Sequence, residues 1–365
     1  MRDHSLNASL NLERLRVNQL VLLFTNSDIL NISLPKYIPS LPNEKGNTWQ
    51  IIIKKQNMIK QHNKTTHAPA NKVFMVKPNR FGYNYQTADT NAFQQLPITP
   101  EDRHHSAIGE FMQVVDRLRT AGIEVVVFES EDADAPDAIF PNNWFSTHLD
   151  GTLVLYPMYA PNRRRERCDA AVALIKQHCQ SEPLIDISNR EAVGQYLEGT
   201  GSILFDHANR RAYAALSPRT DQALFNSICS TLKYQAYSFS CDDPNGMPFY
   251  HTNVMLHIGD DYAVIYDAGI KAADERKRIM DALSEVKSDI IRINYDQVVH
   301  FCGNMLQVSN KQGQSHLLCS TTALKSFTHE QQSILERHAA IIAFDIPTIE
   351  QLGGGSIRCM VAELF

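Results

Sequence analysis

From Lys72 to the C-terminus, short apolar runs alternate with longer stretches of helical period, and the same order of elements recurs. Each unit reads as a polar motif, a turn, a strand and an amphipathic helix. The first begins at Phe140-Pro141-Asn142-Asn143-Trp144, turns at Asp150-Gly151, passes through the strand Leu153 to Tyr156, and predicts a helix from about Arg163 to Cys179. The second begins at Leu197-Glu198-Gly199-Thr200-Gly201, turns near His207 to Arg210, and continues as the strand Ala212 to Leu216. Its helix is expected to use Ser217 as N-cap, with Pro218 in the first turn. The third begins at His251-Thr252-Asn253, turns at Gly259-Asp260, and carries the strand Tyr262 to Tyr266 and a charged helix over about Ala272 to Lys287. The fourth begins at Phe301-Cys302-Gly303-Asn304, turns at Gln312-Gly313, and reaches a helix whose Thr328 and Gln331 form a capping box.

With Asn143, Glu198, Asn253, Asn304 and Gly355 as markers, the gaps are 55, 55, 51 and 51 residues. The fifth unit stops at Phe365 before its remaining strands and helix, and the segment after Lys72 supplies them. There, Val73 to Val76 reads as a strand, and Thr99-Pro100 starts a helix with Ile108, Phe111, Val115 and Leu118 on one face. Gly122 ends that helix, and Ile123 to Phe128 reads as the next strand. The chain ends therefore complete one unit together, and the expected fold is an α/β ring of five strand-strand-helix-strand modules. Closure removes exposed sheet edges and brings the five markers to a common axis.

Composition narrows the function classes. The chain has 365 residues, 43% hydrophobic and 21% charged, with a net charge of −5, which fits a globular protein with no broad basic field for nucleic acid. No apolar run reaches membrane-spanning length, so no membrane partner is expected. Seven cysteines at scattered positions, without C-x-x-C spacing, fit a reducing cytoplasm better than a disulfide framework or zinc site. The first 66 residues hold nine Lys/Arg against four Asp/Glu and carry no recognisable site, so they read as an N-terminal extension, disordered or upstream of a true start at Met58, before a catalytic domain over residues 67–365. A homo-oligomer is compatible with the chain, and nothing in the sequence fixes the oligomeric state.

The run Gly353-Gly354-Gly355-Ser356-Ile357-Arg358-Cys359-Met360 places a thiol on a flexible glycine shoulder, where it could reach an electrophilic carbon. A turn followed by a buried structural cysteine is the plain alternative, and it is the fifth-marker position that favours the nucleophile.

These motifs, in this order and over residues from about 72 to 365, resemble the guanidino-group-modifying superfamily of five-bladed α/β propellers, or penteins, and most closely its citrulline-utilisation hydrolase branch. The superfamily includes arginine deiminase, dimethylarginine dimethylaminohydrolase and the amidinotransferases. The resemblance implies a cysteine-dependent hydrolase acting on C–N bonds, without metal or organic cofactor, whose partner is a small-molecule amino acid. It makes Cys359 the nucleophile, His251 the general acid/base and Glu198 the support of the imidazole. It makes Arg219, in Leu216-Ser217-Pro218-Arg219-Thr220, a clamp for the substrate α-carboxylate, and offers Arg164, from Arg163-Arg164-Arg165-Glu166-Arg167, as a second arginine. A solvated basic helix start is an equal reading of that second segment.

Two departures bear on the substrate. Where the deiminases have aspartates that bind a guanidinium, this sequence has Asn143 and Asn253. Burying a guanidinium without paired carboxylates is costly, whereas an asparagine can both donate to and accept from a neutral ureido group. The expected reaction is hydrolysis of citrulline to ornithine, ammonia and carbon dioxide. Action on arginine or a methylated arginine, with Asp137 or another carboxylate replacing the missing charge, is the nearer alternative. A non-catalytic binding propeller is the more distant one.

Overall fold

A computed structural model describes residues 69–96, 103–179 and 182–365 of the chain. The expected N-terminal extension, and the Thr99-Pro100 helix start, lie outside the described residues. Among the described residues no helix is long and apolar enough to cross a membrane.

The strands form five three-stranded mixed sheets. β1 (Lys72–Lys77) runs parallel to β2 (Glu124–Glu129). β3 (Phe145–Thr147), β4 (Leu153–Leu155) and β5 (Leu184–Asp186) make the next sheet. β6 (Leu204–Asp206), β7 (Arg211–Ala215) and β8 (Gln235–Phe239) follow, then β9 (Leu256–Ile258), β10 (Tyr262–Ile265) and β11 (Asp289–Arg292). β12 (Leu306–Ser309), β13 (Ser315–Ser320) and β14 (Ala340–Phe344) form the last complete in-sequence sheet. β15 (Ala362–Leu364) then returns to pair antiparallel with β1, Val73 opposite Glu363, so that the first and last of these strands share one sheet. In all five the middle strand has one antiparallel and one parallel neighbour.

A helix crosses over between each parallel pair: α1 (His104–Thr120), α2 (Asp169–Cys179), α3 (Gln222–Thr231), α4 (Ala273–Val286) and α5 (His329–His338). α1 turns Ala107, Phe111, Val114, Val115 and Leu118 inward, a stripe at helical spacing, and packs them with Val73, Met75 and Phe344. Each helix is amphipathic because its outer face meets water and its inner face a sheet.

Some boundaries differ from the sequence expectation, for local reasons. The N-cap of α3 is Asp221, whose carboxylate accepts from the Leu224 N–H at 2.9 Å. Ser217 instead closes a tight turn with Thr220, and its hydroxyl donates to the Tyr250 carbonyl at 2.8 Å and accepts from the Arg219 N–H at 3.1 Å. The expected helix from Arg163 to Cys179 is broken into Pro161–Arg164 and α2, because Arg163 and Glu166 turn inward instead of continuing an outer face. The Thr328/Gln331 capping box on α5 forms as its spacing predicts.

The feature that positions the site is a short helical turn directly before β3, β6, β9 and β15: Pro141–Asn143, Gly199–Ser202, Thr252–Val254 and Ile357–Met360. Before β12 the segment Phe301 to Gly303 turns likewise, with Phe301 at φ +62 and the Asn304 N–H on its carbonyl. A turn of this kind stops the side chains from alternating across a sheet and aims successive residues off its end. Every marker residue lies on or beside one of these turns.

Candidate active site

Glu198 ends the strand-like approach to the Gly199–Ser202 turn and is fully buried. One carboxylate oxygen accepts from the Tyr159 N–H at 2.9 Å and the other lies 2.7 Å from His251 Nε2 and 3.6 Å from Arg219 Nη1. Burial opposes the charge on Glu198, but Arg219 and the imidazole outweigh it and hold the carboxyl down at about 2. An ionised carboxylate only accepts, so His251 carries its proton on Nε2, leaving the Nδ1 lone pair for chemistry. Desolvation lowers His251 to about 4 despite Glu198, so the ring is neutral at physiological pH.

His251 and Asn253 flank Thr252 on the third turn, and Thr252 anchors it by donating to the Ser202 carbonyl and accepting from the Ala215 N–H. Asn253 Nδ2 reaches the Cys359 sulfur at 3.7 Å. A second amide is closer still: Asn304 Nδ2 lies 3.3 Å from the sulfur, while its Oδ1 accepts from the Arg358 N–H at 3.1 Å. The Cys359 thiol is pushed up by burial, against the Asn304 hydrogen bond and the Ser356 backbone contact.

The glycine run is packed, not a loose shoulder. Gly354 adopts φ +61 at the end of the helix Pro347–Gly353, and a Cβ on Gly353 would meet the Phe140 ring at 2.6 Å. Tyr250 donates from its hydroxyl to the Gly354 carbonyl at 2.7 Å, and Asn91 donates to the Gly353 carbonyl at 3.2 Å. Gly201 joins two site residues by its lack of a side chain: a Cβ there would stand 2.4 Å from Asn143 Nδ2 and 2.8 Å from His251 Nδ1.

Of the seven residues singled out in the sequence, Cys359 and Asn253 come into contact, and so do His251, Glu198 and Arg219, while Asn143 borders His251 across Gly201. Arg219 is 2% exposed and enclosed by the Tyr250 and Tyr159 rings. Its Nε donates to Thr90 Oγ1 at 3.0 Å and its Nη2 to the Thr87 carbonyl at 3.0 Å. Arg164 is not drawn into the cluster: it bonds the Met158 and Tyr159 carbonyls, pairs with Glu191 at 3.6 Å, and stays partly exposed. Its neighbour Arg163 is the buried one, donating to Asn143 Oδ1 at 2.6 Å. No sequence signal separates it from Arg164, because an (i, i+3) pair such as Arg163 with Glu166 is ordinarily a solvated one. Asn304 stands on the marker spacing too, but spacing alone assigns it no chemistry.

Several polar atoms here are buried with no hydrogen-bond partner among the described residues: Asn143 Nδ2, Asn253 Oδ1, Asp137 Oδ1 and both side-chain polar atoms of Asn142. Desolvation raises the Asp137 carboxyl, with Arg163 opposing. Among the described residues no group of three or more His, Cys, Asp or Glu is placed to hold a metal ion.

The family model for N,N dimethylarginine dimethylhydrolase, eukaryotic, matches residues 77–365. No curated protein matches the chain in sequence. Among solved structures, the substrate-bound N-terminal domain of an arginine dihydrolase from the ornithine-ammonia cycle in cyanobacteria superposes with a TM-score of 0.65 at 16% identity, over 80% of this chain and 97% of that domain. The same enzyme's apo structure gives 0.64 at 17% identity, and there this chain spans 40% of the longer protein. The Pseudomonas aeruginosa enzyme DDAH, as a cysteine-to-serine mutant complexed with citrulline, gives 0.57 at 11% identity over 81% of this chain and 99% of that one.

Proposed function

Because this chain belongs to the family of N,N dimethylarginine dimethylhydrolase, eukaryotic, and so to the guanidino-group-modifying superfamily, we propose that it hydrolyses the ureido group of citrulline through a covalent intermediate on Cys359. As a member of that family it is a hydrolase acting on C–N bonds. The finer reading is carried by the unsatisfied amide atoms of Asn143 and Asn253, one N–H donor and one carbonyl acceptor. A ureido group supplies the matching carbonyl oxygen and N–H, and a guanidinium supplies donors only.

In the proposed reaction the thiol of Cys359 passes its proton to His251 Nδ1, making the imidazolium, and the sulfur attacks the ureido carbon, while Asn304 and Asn253 donate to the sulfur's charge. The first C–N bond breaks as the His251 cation, supported by Glu198, protonates the departing amine. Water, deprotonated at His251 Nδ1, then attacks the thiol-bound carbonyl and frees the sulfur. The resulting carbamate loses carbon dioxide, so citrulline and one water yield ornithine, ammonia and carbon dioxide. Arg219 and its loop, Thr87 to Thr90, bind the α-carboxylate. We take residues 67–365 as the catalytic domain and its five sheets as blades of a closed propeller. The contacts of β15 with β3, of β6 with β9 and of β9 with β12 support that closure.

A second reading, hydrolysis of arginine or a methylated arginine, is favoured by the buried Asp137 and its free Oδ1, which could pair a guanidinium. The protein is incubated separately with citrulline, arginine and dimethylarginine, and ornithine, citrulline and ammonia are assayed. Ornithine and ammonia from citrulline are expected, falling by roughly 10⁴-fold in Cys359→Ser. Citrulline or ornithine formed from arginine with citrulline left inert would overturn the ureido reading.

A further inference from the structure

Resting on the ureido reading, we infer that Arg163 selects the ureido group over the guanidinium by fixing which end of the Asn143 amide faces the substrate. Asparagine alone is an undecided ligand, since its carboxamide can rotate to offer either oxygen or nitrogen. Here the rotation is locked. Arg163 lies 3% exposed, with Nε and Nη2 on the two oxygens of Glu166, each at 2.9 Å, and Nη2 also on the Phe140 carbonyl at 2.9 Å. Its Nη1 donates to Asn143 Oδ1 at 2.6 Å. A guanidinium has five N–H donors and no lone pair, so turning the amide over would oppose donor to donor in a buried site. Nδ2 therefore points away from Arg163, and it is this atom that is left unpartnered, beside His251 Nδ1 across Gly201.

The consequence is a fixed N–H donor at the point where the substrate's reacting group meets the base. A ureido oxygen accepts from it. A guanidinium presents another N–H, which would oppose donor to donor there. Glu166 takes part by holding two of the three guanidinium nitrogens, leaving Nη1 directed at Asn143. Arg163 is thus a positioning residue, acting through Asn143 and touching no substrate itself.

The test compares kcat/KM for citrulline with turnover of, or competitive inhibition by, arginine. In the double variant Arg163→Gln/Glu166→Gln the neighbour of Asn143 can accept as well as donate, so the amide is free to turn. The preference for citrulline should fall by about 10- to 100-fold, the range expected when one buried donor is no longer fixed. Arg163→Lys, still donor-only, should keep the preference even if kcat drops. Asn143→Asp leaves Arg163 and Glu166 intact and exchanges the pocket-facing donor for an acceptor, which should shift the preference toward arginine. It serves where the double variant does not fold, as judged by circular dichroism. An unchanged preference in a folded double variant, or in Asn143→Asp, overturns the inference while wild-type citrulline turnover still supports the ureido reading. Wild-type protein inert on citrulline overturns both.

Discussion

The two sides of the candidate site hold their reactive groups by opposite means. Around His251 the environment is charged: Glu198 and Arg219 are buried with it, and the carboxyl is held at about 2. Around Cys359 it is nearly neutral: among the described residues two carboxamides hydrogen-bond the sulfur and a backbone contact faces it, with the Arg358 charge a lesser influence. The charged side can organise a proton carrier without the substrate, because Glu198 fixes the ring and its tautomer. The neutral side can only hold the thiol in place, and burial keeps it protonated. On the proposed reaction, the difference teaches that the charge that activates sulfur would arise as substrate binds, with the amide donors already aimed at where it develops.

The largest test of this contrast removes the charge from the organised side. Glu198→Gln keeps an acceptor for His251 Nε2–H but removes the counter-ion of the imidazole cation, so kcat should fall by roughly 10²- to 10³-fold. The wild-type pH dependence follows from the same groups. Glu198 lies below its usual 4.5, so its stabilisation is complete above about pH 4.5 and is lost as pH falls toward 2. His251 is likewise depressed, from 6.5 to about 4, so stability is highest above pH 6.5 and declines as pH falls toward 4, where the unfolded chain takes up a proton that the folded one refuses. Without Glu198 the imidazole loses its largest support for charge and its titration in the pH–rate profile should move lower still. An acid limb that stays in place would show that Glu198 does not govern His251.

On the neutral side the expected effect is smaller. Asn304→Ala deletes the nearer donor to the Cys359 sulfur, so the thiol should titrate higher. Its alkylation rate by iodoacetamide at fixed pH below the thiol pKa should drop by about tenfold, a measurement that needs no substrate. A rate equal to wild type would leave Asn253 as the sulfur's amide partner.

How far the sequence revealed this site depended on whether chemistry followed the repeat. The spacing of Asn143, Glu198, Asn253 and Asn304 was readable because each precedes the first strand of a sheet, and a strand's start is marked by the turn chemistry around it. The pairing of β15 with β1 was readable too, since the last unit lacked strands that the segment after Lys72 possessed. What escaped was whatever reaches the site from outside that order. The choice between Arg163 and Arg164 turns on one residue of helical phase, which composition cannot resolve, and only the break after Arg164 turns Arg163 inward. The segment from Asn84 to Asn91 carries no hydrophobic period, yet it contributes Thr87 and Thr90 to Arg219, Asn84 to Asp137 and Asn91 to the glycine run. Its role lies wholly in long-range polar contacts, which leave no local signature.

That segment gives the mildest test, and its sign is informative. Thr90 Oγ1 accepts from Arg219, so on the proposed reading an arriving α-carboxylate competes with a partner the guanidinium already has. Thr90→Val removes that partner while keeping the shape. The empty protein then carries a buried guanidinium with an unmet donor and should lose about 1 to 2 kcal/mol of stability, seen as a lower melting temperature. Substrate restores the missing acceptor, so KM for citrulline should fall, by about threefold, with kcat little changed. A KM that rises instead would mean that Thr90 stays bonded in the complex and helps to aim Arg219, making the threonine part of the clamp and not its competitor.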